Sequence, residues 1–109
     1  MTAWWNVLDN NPLQLKAAIA QGPVSVAIQA DTIIFAYYSG GILNTPMCGT
    51  TLDHGVIAVG YGVENGVEFY IVRNSWGPDW GDQGYIRIGI QEGKGICGIQ
   101  TASVWPETN

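Results

Sequence analysis

Two apolar runs, Val56 to Tyr61 and Val67 to Val72, stand on either side of Glu64-Asn65-Gly66. An Asn-Gly pair between such runs is the chemistry of a tight hairpin turn, because both residues tolerate positive φ. This hairpin constrains the fold more than any other feature, since it dictates an antiparallel ladder and decides which side chains meet at its open end. His54, the single histidine, precedes the first strand, and Asn74 follows the second. Folding near residue 64 brings both to the same end of the ladder. A simple two-residue turn at Asn65-Gly66 would set His54 against Gly77, so meeting Asn74 requires a longer loop or a bulge. A neutral imidazole suits proton transfer near neutral pH, and an amide oxygen is a good partner for fixing its tautomer.

Other segments give a coarse architecture. Asn10-Asn11-Pro12 reads as a helix start, Leu15, Ala18 and Ile19 share a face, and Gly22-Pro23 is a stop, which predicts a helix from Pro12 to Gln21. Val24, Val26 and Ile28 alternate with Ser25, Ala27 and Gln29 as in a half-buried strand. Further strands are expected at about 53–62, 67–74, 84–89 and 100–105. Gly and Pro clusters between them favour an antiparallel sheet or partly closed barrel over βαβ units. At 109 residues the chain suits one domain. Its 12% charged and 47% apolar residues suggest a face built to pack against something else. The net charge of −5 argues against a nucleic-acid partner. No apolar run reaches membrane-spanning length, and residues 1 to 20 lack a signal-peptide pattern.

An ordered set of short motifs carries a family resemblance: Gly22-Pro23-Val24-Ser25-Val26-Ala27-Ile28, Tyr38-Ser39-Gly40-Gly41-Ile42, Asp53-His54-Gly55-Val56, Gly60-Tyr61-Gly62, Asn74-Ser75-Trp76-Gly77, Trp80-Gly81, Gly84-Tyr85 and Cys97-Gly98. In this order they resemble the C-terminal, right-hand half of the papain-like cysteine proteases. The resemblance covers about residues 12 to 109 and implies an α+β, mainly β domain: an antiparallel barrel-like sheet with a short N-terminal helix. Residues 1–11, with Trp4 and Trp5, match poorly and are set apart as an N-terminal segment, extended or foreign to the native protein. The family's nucleophile segment, Cys-Gly-Ser-Cys-Trp, does not occur in these residues, and a start at Met1 in what looks like mid-family sequence suggests a fragment.

The resemblance assigns roles residue by residue. His54 would be the general base and then the acid toward the leaving amine, and Asn74 its orienting partner. Trp76 would cover their bond, and Asp53 would tune the electrostatics without being a triad member, since neighbouring strand residues face opposite ways. Ala27, Leu52, Gly55 and Ala102 would line the pocket for the substrate residue one before the cleaved position, favouring an apolar side chain over arginine. Taken by themselves, Cys48 and Cys97 could be free thiols, metal ligands or a bridge; the resemblance implies a disulfide. One histidine and no Cys-x-x-Cys argue against a metal site, and the family needs no cofactor. The implied partners are a left-hand domain carrying the catalytic cysteine, a peptide or protein substrate, and a possible homodimer. The implied location is lysosomal, vacuolar or secreted. One chain of a processed two-chain protease, or a noncatalytic binding or self-associating domain, are the alternatives. A serine hydrolase would need Ser39 or Ser75 to approach His54.

Overall fold

The computed structural model describes the backbone of residues 2–6, 11–101 and 103–108, and side chains within 11–101. The helix forms where expected, as α1 (Pro12–Gln21). Asn11 Oδ1 accepts from Gln14 N–H at 3.0 Å, which satisfies one of the unpaired amides of the first turn, and Pro12 opens the helix without losing a needed donor. Leu15, Ala18 and Ile19 are its buried face.

Among the described residues seven strands make one sheet: β1 (Thr2–Asn6), β2 (Val24–Ile28), β3 (Ile42–Leu43), β4 (His54–Glu64), β5 (Val67–Arg73), β6 (Tyr85–Gly89) and β7 (Ser103–Thr108). Their order is β1-β7-β2-β4-β5-β6-β3. The pairs are antiparallel except the short β3–β6. The sheet is open, ending in β1 and β3. The mainly β class with a short helix is therefore as expected, with a looser closure than a barrel.

The β4–β5 hairpin carries both the predicted turn and the required irregularity. Asn65 (φ 52°) and Gly66 (φ 81°) supply the two positive φ angles of a two-residue turn, and Glu64 pairs with Val67. The register holds to Gly60↔Ile71 and then slips by one between Ala58 and Gly60, so Val59 is an extra residue on β4. Beyond the bulge Ile57 faces Arg73, the last residue of β5. One bulge closes only part of the offset, so His54 and Asn74 are not cross-strand partners. His54 instead pairs with Ile28 of β2.

The core collects Val24, Val26 and Ile28 from β2, Tyr70 and Val72 from β5, and Ile86 and Ile88 from β6 with the apolar face of α1. A four-residue helix, α2 (Ile33–Ala36), seats the fully buried Phe35. Two single-turn 3₁₀ helices, Pro46–Cys48 and Ile96–Gly98, are joined by a Cys48–Cys97 disulfide, with the Cα atoms 5.1 Å apart. The last expected strand, 100–105, begins later, because Gly98 and Ile96 carbonyls turn the chain through Thr101 first.

Candidate active site

His54 opens β4 with its side chain on the same face as the buried Val56 and Ala58. Asn74 comes one residue after β5, on the face of Val72, so the two side chains meet diagonally across the ladder. His54 Nε2 and Asn74 Oδ1 are 2.7 Å apart. The same Oδ1 accepts from Ser75 N–H at 2.8 Å. A backbone N–H can only donate, so it identifies that atom as the amide oxygen and fixes which way the amide points. An oxygen at this position can only accept, so the proton of neutral His54 sits on Nε2. Nδ1 then carries the lone pair and is the atom that can take a proton.

The turn after β5 is built to hold this arrangement. Asn74 N–H donates to Gly84 O at 3.0 Å and Gly84 N–H to Trp80 O at 2.8 Å, which closes the 74–84 loop at its base. Gly81 has φ 60°, and a Cβ there would lie 2.6 Å from Tyr85 O. The Trp-Gly motif thus reflects a close backbone approach as well as a conformation.

Trp76 lies over the imidazole, with ring centroids 5.2 Å apart and planes at 34°. It meets Phe35 edge-on at 5.3 Å and Trp80 edge-on at 5.5 Å, while Trp80 stacks on Phe35 at 4.9 Å. Trp80 Nε1–H donates to Phe35 O at 3.2 Å. Trp76 is thereby braced from behind yet stays 43% exposed. Phe35 and Trp80 were missed as support for the site. The Trp80-Gly81 motif was the available signal for one of them; nothing marked Phe35.

Asp53 precedes β4 and makes its hydrogen bonds to the chain at and just beyond the end of β2. Its N–H donates to Ile28 O at 3.0 Å, and its Oδ1 accepts from Ala30 N–H at 2.9 Å. The carboxylate therefore ties the chain ahead of His54 to the end of β2. Ala27 and Gly55 are paired across β2 and β4, and Leu52 packs on Gly98, where a Cβ would lie 2.9 Å from Leu52 Cδ2. Open space lies above Gly55. Ala102 falls outside the described residues, as do the side chains of Trp4 and Trp5. A depression of about 350 Å³ is lined by Ser25, Gly55, Ile57, Arg73, Asn74 and Ser75 among others; it reaches Asn74, and His54 is not in its wall. Asn74 is 7% exposed, and its Nδ2 has no partner. Both cysteines of the chain lie in the disulfide. Among the described residues no cluster of three or more His, Cys, Asp or Glu could hold a metal, and no helix is long and apolar enough to cross a membrane.

A hairpin whose open end pairs an imidazole with an amide under a tryptophan is what the resemblance to papain-like right-hand domains leads one to expect. The chain belongs to the papain family: the profile described as papain family cysteine protease matches residues 1–107. Germination-specific cysteine protease 1 of Arabidopsis thaliana is 56% identical over 95 residues, covering 84% of this chain and 25% of its own length. The oryzain beta chain of Oryza sativa subsp. japonica is 48% identical over 103 residues, covering 93% and 22%. The solved bromelain protease of Ananas comosus, in complex with an inhibitor, superposes with a TM-score of 0.91 at 41% identity, covering 97% of this chain and 50% of that one. The chain thus spans about a quarter of the length of the curated relatives.

Proposed function

We propose that these residues are the right-hand domain of a cysteine endopeptidase, supplying His54 as general base and Asn74 as the residue that orients it. The observation that carries this reading is the doubly accepting Asn74 Oδ1, which holds the Nε2–H tautomer and leaves Nδ1 as the basic atom. Opposite Nδ1 a thiol would give up its proton to form the thiolate that attacks the peptide carbonyl. The imidazolium then returns the proton to the leaving amine. Trp76 shields the His54–Asn74 bond from water and so strengthens it.

The nucleophile has to come from residues other than these 109, because Cys48 and Cys97 are bridged. The pocket assignment to Ala27, Leu52, Gly55 and Ala102 favours substrates with an apolar residue one before the cleaved bond. The disulfide favours an oxidising compartment, vacuolar, lysosomal or extracellular.

The test uses the chain as it stands. Purified 109-residue chain should leave such a peptide uncut and should take up no thiol-directed active-site label. Turnover with stoichiometric labelling of Cys48 or Cys97 would overturn the reading.

A further inference from the structure

Residues 49–53 carry Leu52 and run directly into His54, yet they belong to no helix or strand. The end of β2 holds them. Asp53 is tied at both its N–H and its carboxylate, as described above. Two residues earlier, Thr51 N–H donates to Gln29 Oε1 at 2.7 Å. Gln29 is itself fixed: its backbone N–H donates to Cys97 O at 2.8 Å, and its Nε2 donates to Asp31 Oδ1 at 2.8 Å. A backbone donor on one side and a carboxylate on the other leave the amide one orientation, oxygen toward Thr51 and nitrogen toward Asp31.

Gly49 approaches the same amide from another side. Its φ of 78° and ψ of −173° lie in a region essentially reserved for glycine. A Cβ there would lie 2.2 Å from Gln29 Oε1. A glycine with no room for a side chain and an amide with one permitted orientation converge on a single contact.

We propose that Gln29 is a positioning residue for the pocket wall beside His54: its side-chain oxygen holds Thr51, and with it Leu52, at the width the pocket requires. The proposal rests on reading Leu52 as pocket wall. Leu52 sits between two anchored neighbours, Thr51 and Asp53, and its Cδ2 is pressed against Gly98. Releasing Thr51 frees one of those anchors and lets Leu52 swing from Gly98 into or away from the pocket. Gln29 stands two residues from Ala27 on the opposite wall, so one residue sets the spacing of both.

The test is carried out on the 109-residue chain by NMR, with Gln29→Ala and Gln29→Glu. Amide exchange of Thr51 is read beside that of Val72 in the core, together with the contact between the Leu52 methyls and Gly98 Hα. Gln29→Ala should speed Thr51 exchange about five- to tenfold, as expected for loss of one hydrogen bond, and weaken the Leu52–Gly98 contact. Gln29→Glu, made together with Asp31→Asn because two carboxylate oxygens 2.8 Å apart would repel, should restore both: one carboxylate oxygen still accepts from Thr51 and the other accepts from the new amide at position 31. Should Gln29→Ala also expose Val72, Gln29→Asn, one methylene too short to reach, is judged by the same criteria. Unchanged Thr51 exchange in the shortened variant, or no recovery with glutamate, overturns the proposal. Neither readout involves catalysis, so its failure is distinct from failure of the endopeptidase reading.

Discussion

Replacing both Cys48 and Cys97 by alanine should remove a large part of the stability of this domain. The bridge joins two 3₁₀ turns across a sequence separation of 49, the second of them also held by Cys97 O accepting from Gln29 N–H. In the chain-entropy account, a loop of that length confines the unfolded state by about 4 kcal/mol at 25 °C, and residual structure in the reduced chain lowers this toward about 2–3 kcal/mol. With roughly 2.1 cal/mol/K of unfolding entropy per residue, a loss of 4 kcal/mol corresponds to roughly 15–20 °C in Tm. Both sulfurs are buried, so the variant also loses some packing. Urea melts of the wild type, the reduced wild type and the double variant separate the contributions: reduction reports the cross-link, and the further drop reports the missing sulfurs. A reduced chain within 1 kcal/mol of the oxidised one would refute the reasoning. It would mean that packing between the two 3₁₀ turns holds them without the bridge.

Asn74→Ala removes the acceptor of both His54 Nε2 and Ser75 N–H, and should cost about 1–3 kcal/mol while letting His54 populate both tautomers, visible in ¹⁵N spectra of the imidazole. Phe35→Ala withdraws the fully buried ring behind Trp76 and Trp80; thermal melts should show a loss of about 3–5 kcal/mol, and tryptophan emission should move to the red. Tyr70 donates to Gln100 Oε1 at 2.9 Å, and burial, then the nearby Glu68 and Glu92, push its pKa well above the ordinary tyrosine value. Because the folded value lies above the unfolded one, this burial contributes fully below about pH 10 and is lost as pH rises through the folded value. In a spectrophotometric titration the ionisation of Tyr70 should therefore coincide with alkaline unfolding.

The hairpin was legible because Asn65-Gly66 can hardly be anything but a tight turn between apolar runs. The need for an irregularity was legible too, from the mismatch between that turn and the two polar residues. Its place at Val59 was not, since a bulged valine looks like any strand residue until its partner strand is known. Likewise α2 is four residues long, too short for periodicity to declare it, and is held by Thr32 Oγ1 accepting from Phe35 N–H. Gln100 stands at the start of the strand expected at about 100–105. It is buried, satisfied by Tyr70 O–H and by the carbonyls of Gln91 and Gly93, partners that come together only in the tertiary fold. Motif order singles out His54 and Asn74 as candidates, and the fold brings their side chains together. The bracing of Trp76 and the anchoring of Asp53 depend on contacts between segments distant in sequence.

The most direct test of the account is covalent labelling of the full-length gene product with a thiol-directed peptide probe bearing an apolar residue before the reactive group. The wild-type protein should be labelled once, on a cysteine outside these 109 residues, and His54→Ala should lose that labelling with the fold intact by circular dichroism. Labelling that persists without His54, or that maps to Cys48 or Cys97, would contradict the assignment of His54 as the base.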